Sequence, residues 1–446
     1  MYLTSPLVGV AVAVGVPVAV LIAVRPMVGV WVGLLAVTAE VLSIRVPPTT
    51  VTLAETIFIF TAVVGLGHLV LRQNLAPGHP QLAFSALIVA GLFGLFLEPS
   101  SASEVRVIRV WCIYLIISLV VSQASRNEIE RMLICLIAAA GTLGLVAMFT
   151  PSELQLYQGG NVVSGRAETG FEHPNVFSHF LLLALAPSLV FARLYSGWRR
   201  GIATVAAVGI IGGLLLSLSR GAIMGAAASV LLLLAWPAFR RTGLAALLVV
   251  VIAATLSLQP LLESSLVSSV ATRYRTIGDS SSVPNDPRIA IWRAAPAMIA
   301  DRPLLGVGEA NYPLIAPAYG LRDVDGSGYD HPHNIFLTFA IEIGLLGLAG
   351  FVVFLLATTR SALSALAGGV AREPVVLAVA ASLVGLLVTS LLEYPIRTNV
   401  VLATVMMFVG AIVAFERLAN DSTPHTASSR LAELRGTGIP IRTDPS

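Results

Sequence analysis

Tyr329-Asp330-His331-Pro332-His333-Asn334 closes the one long stretch of this chain, Gln259 to Phe336, that cannot cross a membrane. The stretch holds Arg273, Arg275, Arg288, Arg293, Arg302 and Arg322, together with Trp292, Tyr274, Tyr312, Tyr319 and two of the seven histidines. It has too many aromatic and periodic positions for a plain linker, and long loops of this kind tend to carry function. Apolar helix lies on both sides. The stretch therefore reads as an ordered cap over a membrane-embedded active site, with the histidine pair at its hinge into the next helix.

Composition sets the class. Of 446 residues, 56% are hydrophobic and 11% charged, and the mean hydropathy is +0.88, whereas a soluble domain carries about 25% charged residues. The apolar runs are about 18 to 22 residues long, the length a helix needs to cross the hydrocarbon core. The alternating short segments of a membrane β-barrel are missing from the pattern. The expected fold is an all-α integral membrane protein of about twelve to thirteen transmembrane helices. Spans are expected near 6–24, 27–44, 52–71, 81–98, 105–122, 131–150, 173–194, 201–218, 221–239, 243–259, 334–358, 374–392 and 398–416. The first has no positive flank or cleavage site, and reads as a retained span. Residues 1–150 form an N-terminal set of helices and 151–416 a catalytic membrane domain, with the large loop at 260–333. Residues 417–446 form a polar, disordered tail on the cytoplasmic side.

The net charge of +3 comes from arginine, because the chain contains no lysine, and it implies no nucleic-acid partner. Cys112 and Cys135 fall inside spans and read as small buried hydrophobes, leaving no disulfide or zinc framework. Arginines mark cytoplasmic ends. Arg126 and Arg131, Arg193 with Arg199 and Arg200, Arg240 with Arg241, Arg360 with Arg372, and the tail fall on one side. The 151–172 loop, the Ser219-Arg220-Gly221 turn and the large loop, between spans ten and eleven, then face outward together. Arg106 and Arg109 break this pattern.

Five motifs carry candidate chemistry, each beside a structural reading. Ser164-Gly165-Arg166 to Phe171-Glu172-His173-Pro174-Asn175 leads a Gly-rich loop into a helix start. Arg166, His173 and Asn175 there could hold an anion or could simply cap the helix at the interface. Arg220 is pinned between two apolar runs, where an arginine is costly and tends to be functional, or else snorkels. Asp286-Pro287-Arg288 to Ala295 reads as a short amphipathic helix on the membrane surface. Its apolar side is expected at Ile289, Trp292 and Ile299, and Arg288 and Trp292 share a face. Its arginine suits bidentate phosphate binding, and tryptophan anchoring accounts for the helix equally well. The Asp323, Asp325, Asp330 cluster lacks calcium-loop spacing and reads as a turn-rich hinge, so no metal is expected. His331 and His333 flank a proline at the mouth of a span, placed for acid–base work near neutral pH. Asn334 can cap that helix, and Glu342, two turns below it, is an intramembrane carboxylate in need of a partner.

These residues resemble the O-antigen ligase and polymerase family. The resemblance rests on Arg166-Ala167 to Phe171-Glu172-His173-Pro174-Asn175, on Ser219-Arg220-Gly221-Ala222, and on Pro287-Arg288 with Trp292. It continues through Asp301-Arg302-Pro303-Leu304-Leu305-Gly306-Val307-Gly308, His331-x-His333-Asn334 and Glu342-x-Gly344-x-x-Gly347. It implies a glycosyltransferase at the outer face of a bacterial cytoplasmic membrane, working without metal, nucleotide sugar or other cofactor. It also implies an undecaprenyl diphosphate-linked glycan as donor and a glycan, lipid or protein as acceptor. Under it Arg220 and Arg288 hold the lipid diphosphate, His331 or His333 serves catalysis, and Arg166 is a secondary candidate. Ligase and polymerase are not separated. A transporter or flippase of a lipid-linked oligosaccharide is the alternative, and a non-catalytic membrane scaffold is a third reading. The chain shows no internal repeat of the kind many transporters carry, and its polar residues concentrate on one side.

Overall fold

In a computed structural model the described residues are 6–39, 43–46, 49–73, 75–97, 100, 105–150, 155–158, 161–164, 167–169, 171, 173–237, 239–240, 287–322, 328–367 and 373–421. The protein is an all-α integral membrane protein. Its helices are α1 (Pro6–Val24), α2 (Pro26–Ala36), α3 (Leu53–Leu71), α4 (His79–Leu97), α5 (Cys112–Ser122), α6 (Arg126–Phe149) and α7 (Pro174–Leu194). They continue as α8 (Gly197–Leu216), α9 (Arg220–Ala235), α10 (Pro287–Asp301), α11 (Ile335–Glu342), α12 (Gly344–Ala365), α13 (Pro374–Ser390) and α14 (Asn399–Asp421). Among the described residues seven helices are long and apolar enough to cross a membrane. Helix starts follow local chemistry. Capping boxes, Thr52 with Glu55 and Ser125 with Glu128, open α3 and α6, and proline opens α2, α7 and α13.

Among the described residues the expected spans recur as helices with two changes. The 27–44 span stops early: α2 ends at Ala36, a 3-10 turn follows, and strands β1 (Ser43–Val46) and β2 (Thr49–Thr52) form a hairpin. The β-branched run Thr49-Thr50-Val51-Thr52 suits the second strand of this hairpin. A second hairpin pairs β3 (Gln155–Gln158) with β4 (Asn161–Ser164). The 334–358 span is broken at Ile343, between α11 and α12. The segment 303–308 lies against that break: the Val307 and Gly308 N–H groups donate to the Ile341 and Glu342 carbonyls at 3.0 and 2.8 Å, and Leu345 N–H donates to the Pro303 carbonyl at 2.8 Å. Backbone freed by the break is thereby satisfied inside protein, as it must be away from water. Gly306 (φ +66) and Gly344 (φ +74) permit the approach, since a Cβ at either would meet backbone at 2.5 or 2.3 Å.

The core is built around α14, 89% buried over its membrane-length window. It packs on α5 and α12, while α6 packs on α8 and α9 on α13. The expected span 243–259 and residues 422–446 lie outside the described residues, and α14 runs five residues into the stretch expected as tail. The helix expected at Pro287 is present, but its buried stripe is Ile291, Ala295 and Met298, packed with Tyr312, Leu321 and Ile341. Ile289 is exposed. Two polar tethers described below set this rotation.

Candidate active site

The link after α13 emerges among four helix N-termini, and its carboxylate, Glu393, is only 5% exposed. At the start of α7, His173 accepts the Asn175 N–H on Nδ1 at 3.0 Å, and the Asn175 side chain donates to Glu393 Oε1 at 3.1 Å. At the start of α9, Gly221 follows Arg220, and a Cβ on that glycine would sit 3.9 Å from Glu393 Cγ. At the start of α10, Arg288 donates to Glu393 Oε1 at 2.5 Å. Ahead of α11, His333 Nδ1 meets Glu393 Oε2 at 3.1 Å. Asn334 caps that helix, accepting the Phe336 and Leu337 N–H groups at 2.9 and 3.1 Å, and ties it to the Leu391 carbonyl at 3.0 Å. Helix N-termini carry partial positive charge, so the vault they form favours anions before any side chain is counted.

Burial alone would push the Glu393 carboxyl up, but the hydrogen bond from His333 and the Arg288 guanidinium outweigh it and hold it ionised. The carboxylate orients the ring. Its oxygen only accepts, so His333 Nδ1 carries the proton and Nε2 keeps a lone pair. His331 is arranged the other way. Its Nδ1 accepts the His333 N–H at 3.1 Å, which places its ring proton on Nε2. Burial, then the neighbouring His333 ring, push its pKa well below the ordinary value, so it stays neutral and donates. The two rings lie 4.1 Å apart. The Trp292 indole donates to the Pro332 carbonyl at 3.0 Å. That bond and the Arg288 contact are the tethers that rotate α10. His333 adopts φ +52, as does Leu218 two residues before Arg220. Backbone strain of this kind is worth about 1–3 kcal/mol and clusters at working sites.

The structure thus brings together His331, His333, Arg288, His173, Asn175, Trp292 and Asn334, with Arg220 on the neighbouring helix start. Arg220 is half-buried and makes no hydrogen bond or ion pair among the described residues. Glu342 lies apart, at the helix break, where it accepts the Tyr312 N–H at 3.2 Å. Arg166, Asp323 and Asp325 lie outside the described residues, and Asp330 pairs with Arg397 at 3.1 Å. Among the described residues one group has metal-ligand character: His331, His333 and Glu393, with donor atoms within 4.8 Å of one another. Glu393 Oε1 accepts from Arg288 and Asn175, and Oε2 from His333.

Sequence reasoning missed Glu393. The signal was present: a lone carboxylate between two apolar runs, at the end of a span that emerges on the same side as the cap.

A family model described as O-Antigen ligase matches residues 205–352, about a third of the chain. The motif resemblance is to that same family, and the match supports it. No curated protein matches. A solved chain from "Structural coordination of polymerization and crosslinking by a peptidoglycan synthase complex" is 16% identical at TM-score 0.42, over 76% of this chain and 96% of that one. That likeness is too distant to carry an argument. The family match and the membrane helices support a membrane glycan ligase or polymerase role, that of a glycan-transferring enzyme.

Proposed function

We propose that the protein transfers or polymerises a glycan from an undecaprenyl diphosphate carrier onto an acceptor hydroxyl, at the outer face of the bacterial cytoplasmic membrane. The observation that supports this best is the Glu393 cluster. An oriented histidine with a free Nε2 stands beside an anion-favouring vault that contains Arg288 and Arg220. His333 Nε2 takes the acceptor hydroxyl proton as general base. The acceptor oxygen bonds to the anomeric carbon as the bond from that carbon to the diphosphate oxygen breaks. The leaving diphosphate gains negative charge against Arg288, Arg220 and the helix termini. His331 donates a hydrogen bond from its Nε2–H to a phosphate or sugar oxygen and keeps its proton. Glu393 holds His333 in its tautomer and steadies the imidazolium that forms, the role a carboxylate plays behind a catalytic histidine. No step calls for a metal.

The test is purified protein in vesicles with a radiolabelled lipid-linked glycan and a panel of acceptors. Glycosidic product with release of lipid diphosphate supports the reading, whereas movement of intact lipid without product would establish the flippase alternative. Orientation is tested separately by Leu314→Cys, at an exposed cap position, with Cys112 and Cys135 replaced. An impermeant thiol reagent should label it in intact cells, and labelling only after lysis would place the cap in the cytoplasm.

A further inference from the structure

Arg106 breaks the arginine pattern in the sequence because it is not a loop charge. It lies in a π-helical turn, Val105–Trp111, that runs on into α5. Its side chain is buried, 8% exposed, as is that of its partner Glu309 at 2%. Its Nε donates to Glu309 Oε1 at 3.3 Å. One terminal nitrogen donates to the Arg397 carbonyl at 2.6 Å and to Asn399 Oδ1 at 3.1 Å, and the other to the Ile396 carbonyl. The Tyr394 hydroxyl donates to the same Glu309 oxygen at 3.3 Å. Every one of these acceptors and donors belongs to, or grips, the turn Tyr394–Asn399 that immediately follows Glu393. A planar guanidinium presents its donors in a fixed fork, and here the fork is spent on backbone carbonyls.

The geometry points to Arg106 as a positioning residue for the reaction, acting through Glu393. The arginine and Glu309 clamp the turn, the turn fixes where the Glu393 carboxylate stands, and the carboxylate fixes His333 and Arg288. A side chain from the N-terminal helices, outside the stretch matched by the family model, thereby sets the register of the site. This inference rests on the functional reading above. Besides His333, the charged and titratable groups facing Glu393 are Arg288 on α10, His331 and the buried His179 on α7, while Arg397 acts on His331. Of Arg397 the Arg106 side chain meets only the backbone carbonyl, and it meets none of the groups that face Glu393.

The experiment is the pH–rate profile of glycan transfer by Arg106→Gln, Arg106→Lys and the double variant Arg106→Gln/Glu309→Gln, per folded protein, beside wild type and His333→Ala. Partners that orient an active group at one remove typically matter about 10- to 100-fold, and that loss is expected for Arg106→Gln. Arg106→Lys, which keeps charge without the fork, should recover only part of it. The decisive readout is shape. If the Glu393 carboxylate drifts, the His333 ring loses the negative neighbour that favours its protonated form, and the acidic limb moves to lower pH. The double variant leaves no orphaned buried charge and should show the same displacement. Tyr394→Phe, which deletes one oxygen, should show a smaller one if the charge variants do not accumulate. A loss of rate or stability with an unmoved profile would make Arg106 merely structural and overturn the inference, as would wild-type turnover in Arg106→Gln while His333→Ala is inactive. Wild-type turnover in His333→Ala would instead overturn the functional reading itself.

Discussion

Glu393 and Glu130 stand at opposite ends of α7, a helix of 21 residues and so roughly 30 Å long. They are almost equally buried, at 5% and 6% exposed. Both hold guanidinium. Glu130 accepts from Arg199 at 2.5 Å and Arg126 at 3.4 Å, and from the Tyr195 hydroxyl at 2.9 Å. The difference lies in what else they hold. The Glu130 partners are two guanidiniums and a phenol, and with them that cluster staples α6, α7 and α8. Glu393 holds an imidazole, a side chain that can take up a substrate proton, on strained backbone, with the Arg220 helix start beside it. A buried carboxylate with arginines is therefore ordinary architecture, and the histidine turns one of the two into a site.

The comparison can be broken most forcefully at that ring. His333→Ala should slow transfer by about 10²–10⁴-fold while leaving binding of undecaprenyl diphosphate intact, since the arginines and helix termini carry the anion. Equal loss of binding would mean that the ring holds substrate and is not its base. Next come the cations: Arg288→Ala or Arg220→Ala should each remove about 2–4 kcal/mol of transition-state stabilisation. Arg288→Lys should stay impaired because it lacks the fork. Arg199→Ala at the other end should cost stability and leave turnover per folded protein unchanged. His331→Ala removes a neutral donor and should cost only about 1 kcal/mol, so a loss as large as that of His333→Ala would reverse the two roles.

The smallest effect is on folding in acid. The Glu393 carboxyl is held below its unfolded value, about 4.3, so its contribution to stability is complete above that pH and drains away as pH falls toward the folded value. Melts between pH 3 and 6 should steepen downward in wild type below about pH 4.3 and do so less in Glu393→Gln. Parallel curves would mean that the carboxylate is not held ionised.

Much of this was legible in the residues. Hydropathy runs located the apolar helices that lie among the described residues, because span length is dictated by the bilayer, and the Pro287 motif located α10. The histidines, Arg288, Asn175 and Trp292 were singled out one motif at a time, and the structure draws them to a common centre. That centre was invisible because Glu393 lies outside every motif, and only a span count puts it on the outward side. Arg106 misled for a related reason: a charge tally cannot tell a loop arginine from one buried against carbonyls that come together only in the fold. The break at Ile343 was hidden too, since the hydropathy of 334–358 stays high on both sides of Glu342, and only the docking of 303–308 shows why the helix ends before Gly344.

One measurement tests the central claim most directly: the rate of glycan transfer by Glu393→Gln and Glu130→Gln, side by side across pH 5.5 to 8.5, per folded protein. The account predicts that Glu393→Gln falls about 10- to 100-fold with its acidic limb moved to lower pH, and that Glu130→Gln follows wild type in rate and profile. Equal losses in the two variants, with unmoved profiles, would contradict it and make Glu393 a second structural staple.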